Sequence, residues 1–170
     1  MSIHSNLCRF AAVGALSLMA ATQASAHSFA AVTAVGNFTF LPAAVPVVLP
    51  GMTTPVFFNP AGLRFIATFS SECSVNAPAG NSSAWTDVDI VVLNVPAGVV
   101  VAILAPTVGN QAAFCSSNGT AGFDGWASNS VQGVGGVGLP AGNYRVQVRA
   151  RNNNGATGGW FGERSLILSR

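Results

Sequence analysis

The chain contains no lysine, and charged residues of all kinds make up only 7% of its 170 residues. Soluble domains ordinarily contain about 25% charged residues. The formal net charge of +2 is too weak to attract a nucleic acid or an anionic lipid surface. The composition therefore argues against a nucleic-acid partner. It also implies a surface of Ser, Thr, Asn, Gly and apolar groups that repels its own copies weakly.

The chain also lacks an apolar run of the roughly 20 residues that a bilayer-spanning helix needs. The apolar run from Phe10 to Ala21 follows Arg9 and precedes Ala24-Ser25-Ala26. These three parts are typical of a secretory signal peptide with its cleavage site. We predict a signal peptide over residues 1–26 that leaves no transmembrane anchor. The mature part is then a single domain over residues 27–170, secreted, periplasmic or at the cell surface.

Cysteine is scarce, with only three residues in the chain. Cys8 belongs to the predicted signal peptide, so Cys73 and Cys115 are the pair that reaches an oxidising compartment. We therefore predict a Cys73–Cys115 disulfide bond. The Cys-x-x-Cys spacing of zinc sites is absent, so no metal site is expected at these thiols.

Histidine is rarer still, and His27 alone remains once His4 departs with the signal peptide. An amino-terminal histidine can bind copper through its amine and imidazole, but a brace of this type needs a second histidine. Hydrolysis of the Ser-His-Asp kind needs a base held inside the fold. We therefore expect His27 to be incidental, and we predict neither an enzyme activity nor a cofactor.

No stretch of the mature chain has the apolar i, i+3, i+4 stripe of a helix. Alternation of apolar and polar residues instead predicts strands over 144–151 and 87–92, and a third over 65–69 that leads to Cys73. Further candidate strands cover 36–41, 99–104, 111–115, 131–137 and 163–168. The sequence predicts an all-β fold, a two-sheet β-sandwich of Ig-like or jelly-roll type.

Two segments differ from this pattern. Five prolines between Leu41 and Pro60 exclude a central strand there and predict an extended edge or a loop. The glycine- and asparagine-rich run 152–159 predicts a mobile hairpin loop between two strands.

Glycine recurs in two patterns. Pro-Ala-Gly occurs at 60–62, 78–80, 96–98 and 140–142, and we predict a turn at each. Residues 133–138 match the dinucleotide-binding spacing Gly-x-Gly-x-x-Gly. That motif needs a following helix whose amino end faces the phosphates. Because Leu139-Pro140 follows here, we interpret these glycines as a strand where backbone packs closely.

Asp87 and Asp89 share one face of a predicted strand, about 7 Å apart by strand rise. Such a pair can act in acid–base catalysis of glycoside hydrolysis or can bind calcium. The interpretation we favour is structural, with both carboxylates on a solvated face opposite Arg145 and Arg149 of a neighbouring strand. Calcium binding at this pair stays open.

Three tryptophans are the candidate ligand-binding residues. Trp126 and Trp160 lie beside loop signals, and Trp85 shares the outward phase of Asp87 and Asp89. Exported sandwich modules commonly hold glycans by stacking aromatic faces on sugar rings, although tryptophan also serves as a lid on a core.

Two functions fit these observations. The first is a secreted, non-catalytic β-sandwich that serves as a structural or surface-assembling subunit, its partner being further copies of itself in an oligomer or fibre. The Phe- and Val-rich segment 38–58 is the candidate for pairing with a neighbouring copy. The alternative is a carbohydrate-binding or adhesive module in which Trp85, Trp126 or Trp160 contacts a surface glycan.

Overall fold

The computed structural model describes residues 27–43, 45–104 and 113–170. The predicted signal peptide and Cys8 lie outside these residues, as does the start of the candidate strand 111–115. Within the described part the chain forms eleven strands and no helix, so no helix in that part could cross a membrane. The strands are β1 Ser28–Ala34, β2 Phe38–Phe40, β3 Val47–Thr53, β4 Phe57–Asn59, β5 Phe65–Ala77, β6 Trp85–Asn94, β7 Val100–Ile103, β8 Cys115–Ser116, β9 Gly122–Gly135, β10 Gly142–Asn153 and β11 Gly158–Ser169.

The strands form two antiparallel sheets, as the sequence predicts. Sheet A has the order β1-β11-β5-β9, with β2 also paired to β11. Sheet B has the order β3-β10-β6-β7, with β4 paired to β10 and β8 to β6. The chain therefore crosses between sheets at most of its connections. Of the two sandwich types left open by the sequence, this alternating order is that of a jelly roll.

One apolar core lies between the inner faces of the two sheets. Sheet A contributes Phe65, Phe69 and Phe161, and sheet B contributes Ile90 and Val146 from its two central strands. Each of these side chains is fully buried. Both sheets supply inward residues at a period of two, which is why the alternating segments form strands here.

The predicted disulfide bond is confirmed between Cys73 and Cys115, whose Cα atoms are 6.2 Å apart. Cys73 belongs to β5 and Cys115 to the short strand β8, so the bond joins the two sheets. The Asn129 side chain of β9 also donates a hydrogen bond to the Phe114 carbonyl beside it. Cys73 points into the core, and its disulfide bond holds β5 there. The adjacent residues Glu72 and Ser74 lie in the outward phase of the same strand.

The proline-rich segment lies at an edge, as predicted. Strands β3 and β4 border sheet B and pair only with β10 among the described strands. The segment 38–58 is thus paired within its own chain, because its strands β2, β3 and β4 border β11 and β10. Each of these strands pairs on one side only among the described strands, so recruitment of a neighbouring copy by this segment stays a prediction.

The run 152–159 differs from the prediction. Strand β10 continues to Asn153 and β11 starts at Gly158, so the connection is short and links the two sheets rather than forming a hairpin. It is also held in place, because the Asn81 side chain donates to Asn154 O at 2.8 Å and Thr157 N donates to Asn76 O at 2.8 Å. The sequence contains the turn residues but does not indicate that the two strands separate.

The structure shows the conformation and contacts of glycines in both patterns. Gly62, Gly80 and Gly98 adopt positive φ in turns, which confirms three of the four predicted Pro-Ala-Gly turns. Gly142 instead opens strand β10. Within the Gly-rich run, a Cβ at Gly135 would collide with the ring of Phe65. Close packing is therefore confirmed there, and the element that follows the run is strand β10.

Candidate functional site

Most side chains on the outward face of sheet A are short and polar. The strand registers place Thr33 opposite Ser165, Ser165 opposite Ser70, and Ser70 opposite Ser130, so four hydroxyls form one row across the sheet. The neighbouring row contains Glu72 on β5 and Ser128 on β9, which are registered partners. This face is polar because β5 and β9 alternate apolar inward residues with small hydroxyl residues outward.

Two of the predicted tryptophans meet at one end of this face. Trp126 of β9 and Trp160 of β11 have ring centroids 4.6 Å apart and an interplanar angle of 67°. Their strands flank β5, and Ser74 of β5 is the registered partner of Trp160. Ser74 is only 1% exposed although it lies in the outward phase of β5, and its Oγ donates to Asp124 O of β9. Trp126 itself is 61% exposed, which leaves an aromatic surface open to solvent.

Glu72 completes this corner. Its carboxylate lies over Gly162 of β11, where an added Cβ would stand 2.6 Å from Glu72 Oε2 and 2.6 Å from the Trp160 ring. Glycine at this position therefore lets the carboxylate and the indole converge. Together with Ser128 and Ala127, the two indoles and Glu72 line an open cleft of about 320 Å³. We call this the tryptophan cleft.

The tryptophan cleft adjoins a larger groove. This groove has a volume of about 650 Å³ and shares Glu72 and Ser128 with the cleft. Its other lining residues on the three central strands are Ser70, Ser71, Asn129, Ser130, Glu163, Arg164 and Ser165, with Thr33, Ala34 and Val35 at the β1 side. Hydroxyl groups dominate this lining. We call it the serine groove.

The charged residues that line the serine groove are Glu72, Glu163 and the buried Arg164. Neither Glu72 nor Glu163 forms an ion pair within the described residues, where the two salt bridges join Arg149 to Asp89 and Arg151 to Asp87. Arg164 borders the serine groove, but it is 6% exposed and its guanidinium donates to backbone carbonyls. The serine groove therefore presents carboxylates and hydroxyls, and the cation among its lining residues, Arg164, is buried.

Trp85 does not join the other two tryptophans. It starts strand β6 of sheet B, on the opposite sheet of the sandwich, where Ser116 and Asn153 are its registered partners. Its ring is half-buried and its Nε1 is buried without a hydrogen-bond partner in the described part of the chain. The prediction grouped three tryptophans by type, and the structure brings two of them together.

The environment predicted for Asp87 and Asp89 is wrong. Both residues lie on the outer face of β6, but they are 1% and 5% exposed rather than solvated. Each is paired across to β10, with Arg151 Nη2 3.1 Å from Asp87 Oδ2 and Arg149 Nη2 3.1 Å from Asp89 Oδ2. The predicted partner Arg149 is confirmed, whereas Arg145 stands opposite Leu93. Burial is the main reason that the pKa of Asp89 is raised, while Arg149 opposes the shift.

Asp124 and His27 are residue types that can act in catalysis or metal binding, and both make structural hydrogen bonds here. Asp124 accepts hydrogen bonds at Oδ2 from Ser117 Oγ and from Thr120 N, which closes the 117–120 turn. His27 is exposed at the start of β1, and its backbone exchanges hydrogen bonds with Arg170. Among the described residues, no cluster of three or more His, Cys, Asp and Glu side chains could hold a metal ion.

Sequence reasoning did not select Glu72 or Ser128. The signal for Glu72 was present, because the inward alternation of β5 continues through Cys73, Val75 and Ala77 and places Glu72 and Ser74 outward. Ser128 lies in a strand whose inward residues are small or polar, such as Ala127 and Asn129, so hydrophobic alternation did not reveal it.

Comparison with known proteins gives no family. No protein-family model matches the chain, and no curated protein sequence matches it. Among solved structures, the chain is similar to the VP2 subviral particle of infectious bursal disease virus, with 15% identity and a TM-score of 0.46 over 86% of this chain. It is also similar to the Gt strain structure of that virus, with 13% identity and a TM-score of 0.46 over 86% of this chain. The matched region spans 33% of each viral chain.

Proposed function

We propose that this chain is an exported, non-catalytic β-sandwich subunit that assembles with further copies of itself at or outside the cell surface. The observation that carries the proposal is the β9 edge of sheet A, one of the two ends of that sheet in the described part of the chain. Strand β9 is the last strand of that sheet in the described part of the chain, and its only registered partner there is β5. An edge strand presents unpaired backbone groups that can pair with another chain.

The β9 edge is long and regular. From Ala127 to Gly135 its register with β5 runs without a shift, from the Cys73 pair to the Phe65 pair. Natural edge strands are usually blunted by charged side chains, proline or bulges. This part of β9 contains neither a charged residue nor a proline. Its outward residues Ser128, Ser130, Gln132 and Val134 are all exposed.

Neutrality favours an identical copy as the partner. Two copies of one strand bring the same net charge to the shared edge, so charged residues of one sign on the strand would repel each other across the pair. Here no such repulsion arises, and with charged residues at 7% of the chain the rest of the surface adds little. The exposed Val134 and the neighbouring Ile66, which is 41% exposed, would lose water contact on pairing.

Engagement of Asp87 and Asp89 supports a structural role for the acid–base pair that the sequence raised, whereas Glu72 and Glu163 are the unpaired carboxylates of the serine groove among the described residues. Catalysis by paired carboxylates needs at least one that is free to exchange a proton with substrate. Asp87 and Asp89 are buried and paired with arginines, and Asp124 closes a turn. The one described histidine, His27, is exposed at the start of β1.

The assembly test is the mass of the processed protein in solution. Size-exclusion chromatography with light scattering should give a mass above that of the monomer that rises with concentration. The double variant Gln132→Lys/Val134→Lys, which charges the β9 edge, should shift the protein to a monomer. Ser165→Lys/Ile167→Lys is the matched control, because it adds the same charge to the same face on β11, which is paired on both sides. A wild-type protein that stays monomeric at high concentration would refute the proposal.

Export is tested separately by expressing the whole chain in a host with a secretion apparatus. The product recovered outside the cytoplasm should begin at His27, as read by mass spectrometry of its amino-terminal peptide. An intact Met1 in a soluble cytoplasmic product would contradict export without bearing on assembly.

A second candidate function is binding of a surface glycan. The observation that favours it is the meeting of Trp126 and Trp160 beside an exposed carboxylate. A glycan-bound, self-assembling subunit would be consistent with both candidates, because the tryptophan cleft opens outward on sheet A while backbone pairing uses the β9 edge.

A further inference from the structure

We propose that the tryptophan cleft and the adjoining serine groove bind one neutral oligosaccharide chain, with a pyranose ring seated in the corner between Trp126, Trp160 and Glu72. This assignment rests on the second candidate function above, and it adds the charge class of the glycan, the seat of its sugar ring and the role of Glu72. It commits to an uncharged saccharide as the ligand.

The aromatic corner suits a sugar ring. A pyranose has an apolar face of C–H groups and a rim of hydroxyls, and it stacks by that face on an aromatic ring. Trp126 and Trp160 meet at 67°, so they offer two aromatic surfaces to one ligand rather than a single flat plate. The volume of the tryptophan cleft, about 320 Å³, is at the lower end of the range for ligand sites.

Glu72 supplies the polar contact. An ionised carboxylate accepts hydrogen bonds from two neighbouring hydroxyls, and such charge-assisted bonds are roughly twice as strong as neutral ones. Glu72 Oε2 lies close to the edge of the Trp160 ring, above Gly162. A ring stacked in the corner therefore brings its hydroxyl rim to the carboxylate. Ser128, the registered partner of Glu72, can both donate and accept.

The serine groove continues from this corner. It shares Glu72 and Ser128 with the tryptophan cleft and runs to Ser70 and Ser130, whose hydroxyls are joined by a 3.0 Å hydrogen bond. Further hydroxyls at Ser165 and Thr33 lie in the same row. Sugar units that follow the first ring would therefore meet hydroxyl groups rather than apolar side chains, which suits a chain of several units.

Charge selects against acidic glycans. Glu72 and Glu163 both line the serine groove, and no exposed cation faces them in the described part of the chain. A uronic acid, a sialic acid or a sulfated sugar would add a like charge without a partner, which costs binding free energy. The neutral class is therefore the one that this face admits.

The floor of the site is preorganised. Glu72 and Ser74 flank Cys73, which is fully buried and bonded to Cys115 of the other sheet. Ser74 Oγ also donates to Asp124 O at 2.7 Å, which ties β5 to β9 beneath the indoles. Binding at a held backbone loses less conformational entropy than binding at a mobile loop.

The test begins with the processed wild-type protein on an array of immobilised neutral and acidic glycans, followed by calorimetry with the tetrasaccharide of the best-bound neutral sugar and with its monosaccharide. We expect neutral glycans to be bound, acidic ones to be bound more weakly or not at all, and the tetrasaccharide to bind at least ten-fold more tightly than the monosaccharide. An array without any bound neutral glycan, or one on which acidic glycans bind best, would overturn the proposal. Equal affinities for the two calorimetric ligands would overturn the part assigned to the serine groove.

Variants then locate the site. Trp126→Ala should weaken binding of the tetrasaccharide at least ten-fold, and Glu72→Gln about five-fold. The matched controls are Phe58→Ala, which removes an aromatic ring that is 60% exposed on β4 of the other sheet, and Arg145→Gln, which removes an exposed charge there. Both controls should stay within two-fold of wild type. Affinity that survives Trp126→Ala in a folded protein would overturn the assignment.

The same titration on Gln132→Lys/Val134→Lys, two exposed β9 residues outside the cleft and the groove, separates this inference from assembly. Because Trp126, Trp160 and Glu72 belong to one chain, a variant that has become monomeric should still bind a monosaccharide within two-fold of wild type. Loss of monosaccharide binding on dissociation would overturn the single-chain corner. Failure of wild-type protein to assemble, with tryptophan-dependent binding intact, would refute only the assembly proposal.

Discussion

Asp87 and Arg151 face each other as registered partners on β6 and β10, with Oδ2 and Nη2 3.1 Å apart. The Asp87 side chain is 2% exposed and that of Arg151 is 33% exposed, so the carboxylate is buried beneath its partner. Two residues along the strands, Asp89 and Arg149 repeat the arrangement. Sheet B is thus closed on its outer side by a short ladder of two ion pairs.

Removal of one cation from this ladder should destabilise the fold. Arg151→Met leaves Asp87 buried without its counter-ion, and breaking a buried pair in this way costs about 3 kcal/mol. Asp87→Leu combined with Arg151→Met should recover most of the loss, because an apolar pair of similar volume avoids burying a charge. Urea unfolding monitored by fluorescence gives the free energies. Arg145→Met, opposite Leu93, is the control and should change the free energy by less than about 0.5 kcal/mol. A small effect of Arg151→Met would mean that Asp87 reaches water.

The raised pKa of Asp89 should make stability fall as pH rises. Burial raises this pKa, Arg149 lowers it, the neighbouring Asp87 raises it and Arg151 lowers it, with burial dominant. The folded protein then binds the Asp89 proton more tightly than the unfolded chain does. The free energy of unfolding should therefore decrease from the ordinary aspartate pKa of about 3.9 up to the raised value, and then level off.

Asp89→Asn isolates this contribution from the other carboxylates. The variant cannot ionise at position 89, so its stability relative to wild type should increase over the same pH window. Unfolding in urea at a series of pH values from about 3.5 to 7 measures this difference. A wild-type protein that gains stability over the variant as pH rises would show that Arg149 outweighs burial.

The strands with clear alternation were predictable from local residues. The sequence located β6, β7 and β10 within a few residues, since Val88, Ile90 and Val92 and their counterparts in β10 point into one core. The sequence also identified the disulfide pair, because Cys73 and Cys115 are the two cysteines outside the predicted signal peptide. The prediction that Asp87 is solvated was wrong, because the exposure of an outward residue depends on neighbouring side chains, here Arg151.

The candidate site was less predictable, since it depends on strand order. Trp126 and Trp160 belong to strands that do not pair with each other, and they meet only because β5 lies between β9 and β11. Nothing in the residues around either tryptophan encodes that order. Much of β9 also escaped detection, because the segment Ala127 to Ser130 before Val131 has small and polar residues on both faces. Hydrophobic alternation is the main local signal of a strand, and it is weak there.

Loss of the disulfide bond should destabilise the sandwich. On the chain-entropy model, a bond that closes a separation of 42 residues contributes about 4 kcal/mol, and removal of such bonds commonly costs about 2 to 5 kcal/mol. Cys73→Ser and Cys115→Ser should each lower the free energy of unfolding by that amount, as should reduction of the wild-type protein. Equal urea midpoints for oxidised and reduced protein would contradict the prediction.

Arg164 should be a second point of fragility, through hydrogen bonds rather than an ion pair. Its Nη1 donates to Gly36 O at 3.0 Å and Gly162 O at 2.7 Å, and its Nη2 donates to Pro50 O at 3.4 Å. One buried guanidinium thus joins the β1–β2 turn, strand β3 and the irregular part of β11. Burial lowers its pKa, yet a guanidinium stays protonated in proteins.

Arg164→Met should therefore cost about 3 kcal/mol, because bonds from a charged donor are stronger than neutral ones and several carbonyls lose their partner together. Arg164→Lys should recover little of this, since a single ammonium cannot reach carbonyls on three segments at once. Calorimetric melting of the two variants measures the loss, with Arg145→Met as the exposed control. Limited proteolysis should show new cleavage near Gly36 and Pro50 in both variants, because those two segments are released. If Arg164→Lys were as stable as wild type, the planar fork of donors would not be what holds the three segments together, and the charge alone would suffice.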